Sequence, residues 1–264
     1  MATGVLPLCM GEGTKVLPFL LDADKEYEAI LRLGVVTDTL DAMGKILTQQ
    51  PVIGIEEDRI RAVMGEFLGT ISQVPPMYSA LKRDGRPLYA YAREGKWLER
   101  AERKVTITAL ELQAFGPPDL VSFRVRCSKG TYVRQLAADL GERLGVGGHL
   151  VSLRRTVSGP FHLGHAHTPS DIEALVEAAR PLPFLSLLDA LQSLPHIIVD
   201  EAQRLALMRG QTQGFMKLWT QSLPMGPVCA IFGQPSELVA VIESDGDGTV
   251  QIRRGFQPQR SLAK

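Results

Sequence analysis

"CSKGTYVRQLAADLGERLGVGGHLVSLRRT", residues Cys127–Thr156, is the stretch on which the reading of this chain turns. A β-rich run, "VSFRVRCSKG", leads into it. Val121, Phe123, Val125 and Cys127 share one face and Arg124 and Arg126 the other, the period of two of a half-buried strand. The period then changes. Leu136, Leu140 and Leu144 recur at helical spacing and Gly145 ends the run, so a helix follows the strand. Just upstream, "KVTITALEL" is a second β-rich run, separated by Gly-Pro-Pro-Asp, and the two form a hairpin.

Further upstream, "KEYEAILRLG" alternates. Tyr27, Ala29, Leu31 and Leu33 face one way, Glu26, Glu28 and Arg32 the other, which predicts another strand. "EEDRIRAVMGEFLG" places Ile60, Val63, Met64 and Phe67 on one helical face, with Gly69 as the expected stop. "PLYAYAREG" reads as a short helix between Pro87 and Gly95. Downstream, "PSDIEALVEAAR" predicts a helix with Ser170 as N-cap. After Pro195 the style changes to short strands ("HIIV", "VCAIF", "LVAVIES", "TVQIRR"), one helix capped by Asp200, and a turn at Asp245–Gly248. That is a compact β-rich module of its own. The first ten residues, "MATGVLPLCM", are apolar without the basic start or cleavage site of a signal peptide, and read as the inside of a strand or a buried loop.

Composition narrows the function classes. With 264 residues and 45% hydrophobic content the chain buries one good core and has room for a smaller second domain. No apolar run approaches the ~20 residues of a membrane span. Cys9, Cys127 and Cys229 lie far apart, which suits a reducing cytoplasm and gives no zinc ribbon. The net charge of zero is a cancellation. Residues 77–160 carry 15 Lys/Arg against 8 Asp/Glu, between flanks that carry 6 against 11 and 8 against 10. A basic face on a neutral body is one reading and a solvated surface the other. "MGEGTKV" lacks the P-loop pattern, and the twelfth residue counted from Asp38 is Gln49, which argues against an EF-hand. His162, His165 and His167 lack a firm fourth ligand, so no metal is assigned.

Four stretches taken together carry a resemblance: "ATGVLPLCMGEGTK", "DKEYEAILRLGVVTDTLDAMG", "PPMYSALKRDGRPLYAYAREG" and Cys127–Thr156. In this order and spacing they resemble the TruB-type tRNA pseudouridine synthases. The resemblance runs to about Leu163, and more loosely through the C-terminal module, which is similar to the PUA-like RNA-binding domain of that family. It implies an α+β pseudouridine synthase fold, with a mixed, mainly antiparallel sheet and flanking helices. The catalytic domain is expected over residues 1–180 and the PUA-like domain over 195–264. The implied reaction isomerises uridine-55 in the TΨC arm of tRNA, in the cytoplasm, without cofactor, by a monomer. In the family, A-x-G-[VM]-L-P follows G-x-L-D-P-x, whose Asp is the nucleophile. The chain is therefore expected to begin two residues after its nucleophile and to be inactive as given. The alternative is a non-catalytic tRNA-binding protein that helps tRNA fold.

On the family pattern Tyr27 stacks on the flipped base, although the strand pattern alone reads it as a core tyrosine. Arg134 matches the arginine that pairs with the catalytic Asp, and Asp41 a second carboxylate of that network. Asp38 and Asp41 are expected in a turn on the far side of the Tyr27 strand. Tyr132 and Leu153 resemble pocket walls. Lys82, Arg83, Lys129, Arg154 and Arg155 are candidate phosphate contacts, and Arg253 and Arg254 weaker ones.

Overall fold

A computed structural model describes residues 2–116, 118–212, 224–233, 236–244 and 250–257. In chain order the elements begin with β1 (Thr3–Gly4), a 3-10 turn (Gly11–Val16), α1 (Leu17–Leu21), β2 (Lys25–Leu33), β3 (Val35–Thr37), β4 (Ile46–Gln49), α2 (Glu57–Gly65) and β5 (Gly69–Gln73). There follow β6 (Lys82–Arg83), β7 (Arg86–Pro87), α3 (Leu88–Arg93), β8 (Arg103–Gly116), β9 (Leu120–Cys127), α4 (Val133–Arg143), β10 (Gly148–Ser158) and β11 (Phe161–His162). The last are α5 (Pro169–Glu177), α6 (Leu187–Ala190), β12 (His196–Ile198), α7 (Glu201–Met208), β13 (Gly226–Phe232), β14 (Glu237–Ser244) and β15 (Val250–Gly255).

Two compact units result, one of residues 1–6 and 22–166, the other of residues 7–21 and 167–264. The first holds a sheet ordered β1-β10-β2-β9-β8-β5, with β11 on β10. Only β1 pairs parallel, so the sheet is mixed and mainly antiparallel. The alternation along β2 and β9 explains its core. Leu31, Leu33, Phe123, Val125 and Cys127 are all at most 1% exposed, while Glu28 and Arg124 pair on the opposite face. Leu136, Ala137 and Leu140 bring α4 onto β10 and β2, and Ile60, Val63 and Met64 bring α2 onto β8. Burying each leucine of α4 is worth about 2 kcal/mol. Gly141 permits the turn after α4 to fold back, because a Cβ there would stand 2.4 Å from the Gly147 carbonyl carbon.

The second unit is built on the sheet β12-β13-β14-β15. Its central strands β13 and β14 are largely apolar because both faces are buried there, with Val228–Ala230 and Val239–Ile242 at most 3% exposed. Ile197, Leu207, Val228 and Ile242 form one cluster, and Val16, Leu191, Cys229, Val241 and Phe256 the other. Val16 explains why residues 7–21, far away in sequence, belong to this unit.

The structure departs from the sequence reading at several points. Residues 167–194 group with the second unit, where the catalytic domain was expected to run to 180. Helix α2 ends at Gly65, and Gly69, at φ +87°, starts β5 instead. The N-cap of α5 is Thr168, not Ser170: Thr168 Oγ1 accepts from the Asp171 N–H at 3.1 Å while Asp171 Oδ2 accepts from the Thr168 N–H at 2.8 Å. Pro169 then sits at the first helical position, where its missing N–H costs nothing. Of the first ten residues Val5 is buried, but Leu6, Leu8 and Met10 are exposed. Met1, Pro117 and the turn expected at Asp245–Gly248 lie outside the described residues.

Candidate active site

A pocket of about 390 Å³ opens in the first unit, lined by the N-terminal end of α4 (Thr131–Arg134), by β10 (Leu150–Leu153), by Tyr27 of β2, by Asp41–Met43 and by Ala2. The 37–43 loop is stitched to β10. Ala42 N–H donates to the Leu150 carbonyl at 3.0 Å, and Leu150 N–H to the Leu40 carbonyl at 3.0 Å. These bonds bring Asp41 into the pocket that Tyr27 also lines, so the far-side placement expected for it is corrected. A turn after β3 doubles back over β10, which strand periodicity does not reveal.

Arg134 occupies the first turn of α4, where the helix dipole disfavours a cation by about 0.3–1 kcal/mol. Its partners offset that cost. Nη1 donates to Asp41 Oδ2 at 3.1 Å, and Nη2 donates to the Tyr78 carbonyl. Asp41 is held in turn, its Oδ1 accepting from Thr39 Oγ1 at 2.7 Å and from the Met43 N–H at 3.0 Å. Neither side chain of the pair is more than 29% exposed. Arg134 carries five N–H donors and commits two to these bonds, leaving others for an anion in the pocket.

Tyr27 stands between Arg155 of β10 and Val125 of β9 in the sheet register. Burial pushes its phenol above the ordinary value, while the neighbouring Arg155 guanidinium pulls it back. Tyr132 and Leu153 line the pocket wall. A tyrosine ring, apolar walls and an arginine–carboxylate pair together suit a planar base attached to a charged backbone.

The basic candidates separate. Lys82 and Arg83 are exposed on the hairpin β6–β7, where Arg83 Nη1 donates to the Glu99 carbonyl at 2.9 Å. Lys129 is paired with Asp22 at 2.6 Å. Arg154 is exposed, but Arg155 is not a second member of its patch. Adjacent strand residues point to opposite faces, and Arg155 Nε donates to the Val5 carbonyl at 2.7 Å. Gly4 makes this approach possible, since a Cβ there would stand 2.1 Å from the Arg155 carbonyl oxygen. Arg253 pairs with Glu243 at 2.9 Å in the second unit. Thr39, the Tyr78 carbonyl and Gln73 escaped the sequence reading. A main-chain oxygen has no side-chain signature, and Thr39 and Gln73 have no periodic partner.

This sheet, its flanking helices and the pocket at the head of α4 define an α+β protein of pseudouridine synthase fold. Residues 1–133 match the model of the N-terminal domain of TruB family pseudouridylate synthases, and residues 134–192 that of the tRNA pseudouridylate synthase B C-terminal domain. The chain belongs to the TruB pseudouridylate synthase family. The boundary between these matches falls inside α4 and is not an edge of either compact unit. Among similar proteins, tRNA pseudouridine synthase B of Aromatoleum aromaticum is 48% identical over 257 residues, 96% of this chain and 80% of that protein. Its counterpart in Ralstonia pickettii is 49% identical over 217 residues, 80% of this chain and 67% of that one. A Cbf5 chain solved in a Cbf5–Nop10–Gar1 complex superposes with a TM-score of 0.70 at 26% identity, covering 97% of this chain and 74% of that one. Among the described residues no helix is long and apolar enough to cross a membrane, and no group of side chains is arranged to hold a metal.

Proposed function

We propose that the pocket is the uridine-isomerising site of a tRNA pseudouridine synthase acting on uridine-55 of the TΨC arm, in the cytoplasm and without a cofactor. The observation that carries this is Arg134 bonded to Asp41 in the pocket that Tyr27 lines. The reaction breaks the bond from uracil N1 to C1′, turns the base, and joins C5 to C1′. The C5 proton leaves to solvent and N1 gains one, so no electrons are exchanged. A base within a folded arm must first be flipped out, at a few kcal/mol. Tyr27 receives the flipped ring, and the walls at Tyr132 and Leu153 exclude water.

Asp41 is not the nucleophile in this reading, because its oxygens are engaged by Arg134, Thr39 and the Met43 N–H. On the family pattern the nucleophile is the Asp of the G-x-L-D-P-x segment that precedes the A-x-G-[VM]-L-P motif, which Ala2–Pro7 match. Ala2, the start of that motif, lines the same pocket as Arg134. Lys82, Arg83 and Arg154 track phosphates, Lys129 does so on release from Asp22, and the PUA-like second unit also binds RNA. The protein works as a monomer.

The test is single-turnover pseudouridylation by the chain preceded by the family's G-x-L-D-P segment. Tyr27→Ala removes the stacking platform and Arg134→Ala a charge-assisted bond worth about 1.5–3 kcal/mol, so each lowers the rate at least about tenfold. Rates within about twofold of the parent overturn the assignment.

A further inference from the structure

Gln73 closes β5 and is 3% exposed. Its amide is spent on a single residue. Oε1 accepts from the Tyr132 N–H at 2.8 Å, and Nε2 donates to the Tyr132 carbonyl at 3.2 Å. Only one orientation of the amide satisfies both bonds, so the side chain acts as a short strand partner for Tyr132. A buried amide is costly unless bonded, and apolar packing alone would be served as well by leucine. Tyr132 is the extended residue that launches α4, and Arg134 follows two residues later.

The same segment returns to the site. Pro75 and Pro76, whose rings fix the chain direction, lead to Tyr78, whose carbonyl accepts from Arg134. Residues 73–78 thus grip the Tyr132–Arg134 turn at both ends, by a side chain at one and by main chain at the other.

We propose that Gln73 is a positioning residue for the isomerisation: it sets the angle at which Arg134 enters the pocket and acts on the reaction through Arg134. This rests on the role of Arg134 proposed above.

The test uses Gln73→Leu and Gln73→Glu in the chain carrying the preceding segment, each also combined with Arg134→Ala. Misplacing a catalytic contact costs rate rather than binding. Gln73→Leu is therefore expected to lower the single-turnover rate roughly 10–100-fold while tRNA affinity stays within about threefold. In the Arg134→Ala background it should add no more than about twofold, because both changes remove one function. Glutamate keeps the acceptor but lacks the donor while ionised. The rate of Gln73→Glu should therefore recover as pH falls and its carboxyl gains a proton, unlike that of the parent. This second variant decides the matter if Gln73→Leu does not fold. Equal losses in both backgrounds, or a parallel fall in affinity, make the role structural and overturn the proposal. If Arg134→Ala is itself silent, the reading of the site falls, and the proposal falls with it.

Discussion

Asp41→Ala is the perturbation whose size follows most directly from the geometry. It removes three bonds: Arg134 Nη1 to Oδ2 at 3.1 Å, Thr39 Oγ1 to Oδ1 at 2.7 Å, and the Met43 N–H to Oδ1 at 3.0 Å. The loop itself remains docked. Thr37 Oγ1 still donates to the main-chain carbonyl of residue 41 at 2.8 Å, and the bonds of Leu40 and Ala42 to Leu150 are untouched. With side chains 24% and 29% exposed, the ion pair lies between the surface and buried limits. We assign it a coupling of about 1–2 kcal/mol. Adding the two loop bonds at about 0.5–1.5 kcal/mol each gives a loss of about 2–5 kcal/mol for Asp41→Ala. Asp41→Asn keeps an acceptor for Thr39 and Met43 but sets its amide N–H against Arg134 Nη1, donor facing donor, so it gives up the whole Arg134 pairing and about 1–2 kcal/mol is expected. Urea unfolding of Asp41→Ala, Arg134→Ala and the double variant closes the cycle. A coupling below about 0.3 kcal/mol would refute the claim that Asp41 holds Arg134.

Three further outcomes are expected. Log affinity for tRNA should fall with log salt by about one unit of slope per phosphate contacted. Lys82→Ala or Arg154→Ala should reduce that slope by about one, and Arg155→Ala, tied to Val5, should not. A salt-independent affinity would remove the RNA face. Burial pushes the Cys127 and Cys229 thiols up to about 11 from 9.0, so the folded chain retains their protons where the unfolded chain loses them. Stability should be complete below about pH 9 and decline between about pH 9 and 11. At pH 8 a thiol reagent should label Cys9, which is half-buried, well before the other two. Equal labelling of all three in the native protein would contradict the burial.

The sequence announced those parts of the fold in which side chains follow a simple period. Tyr27, Ala29, Leu31 and Leu33, like Val121, Phe123, Val125 and Cys127, fall on the faces their alternation requires. Leu136 and Leu140 bury α4, and Asp200 caps α7 with the Gln203 amide returning the bond. What was hidden depends on chain reversal. The crossing of the 37–43 loop over β10 brings Asp41 to Arg134, 93 residues away, and no local pattern encodes it. Pro7–Leu21 joins the second unit because Val16 fills a cluster whose other members begin at Leu191. Arg154 and Arg155 read as one basic pair, and only the β10–β2 register separates them.

The most direct test of the site is tritium release from tRNA labelled as 5-³H-uridine, comparing residues 1–264 with the same chain preceded by a segment ending in L-D-P. Pseudouridine formation expels the C5 hydrogen, so each turnover releases one label. The expected result is release that depends on the aspartate of the added segment and is suppressed by Arg134→Ala. Turnover by residues 1–264 alone would mean that the nucleophile lies within the chain and has been misplaced. An extended chain that binds tRNA yet releases no tritium would make this a tRNA-binding protein and not an isomerase.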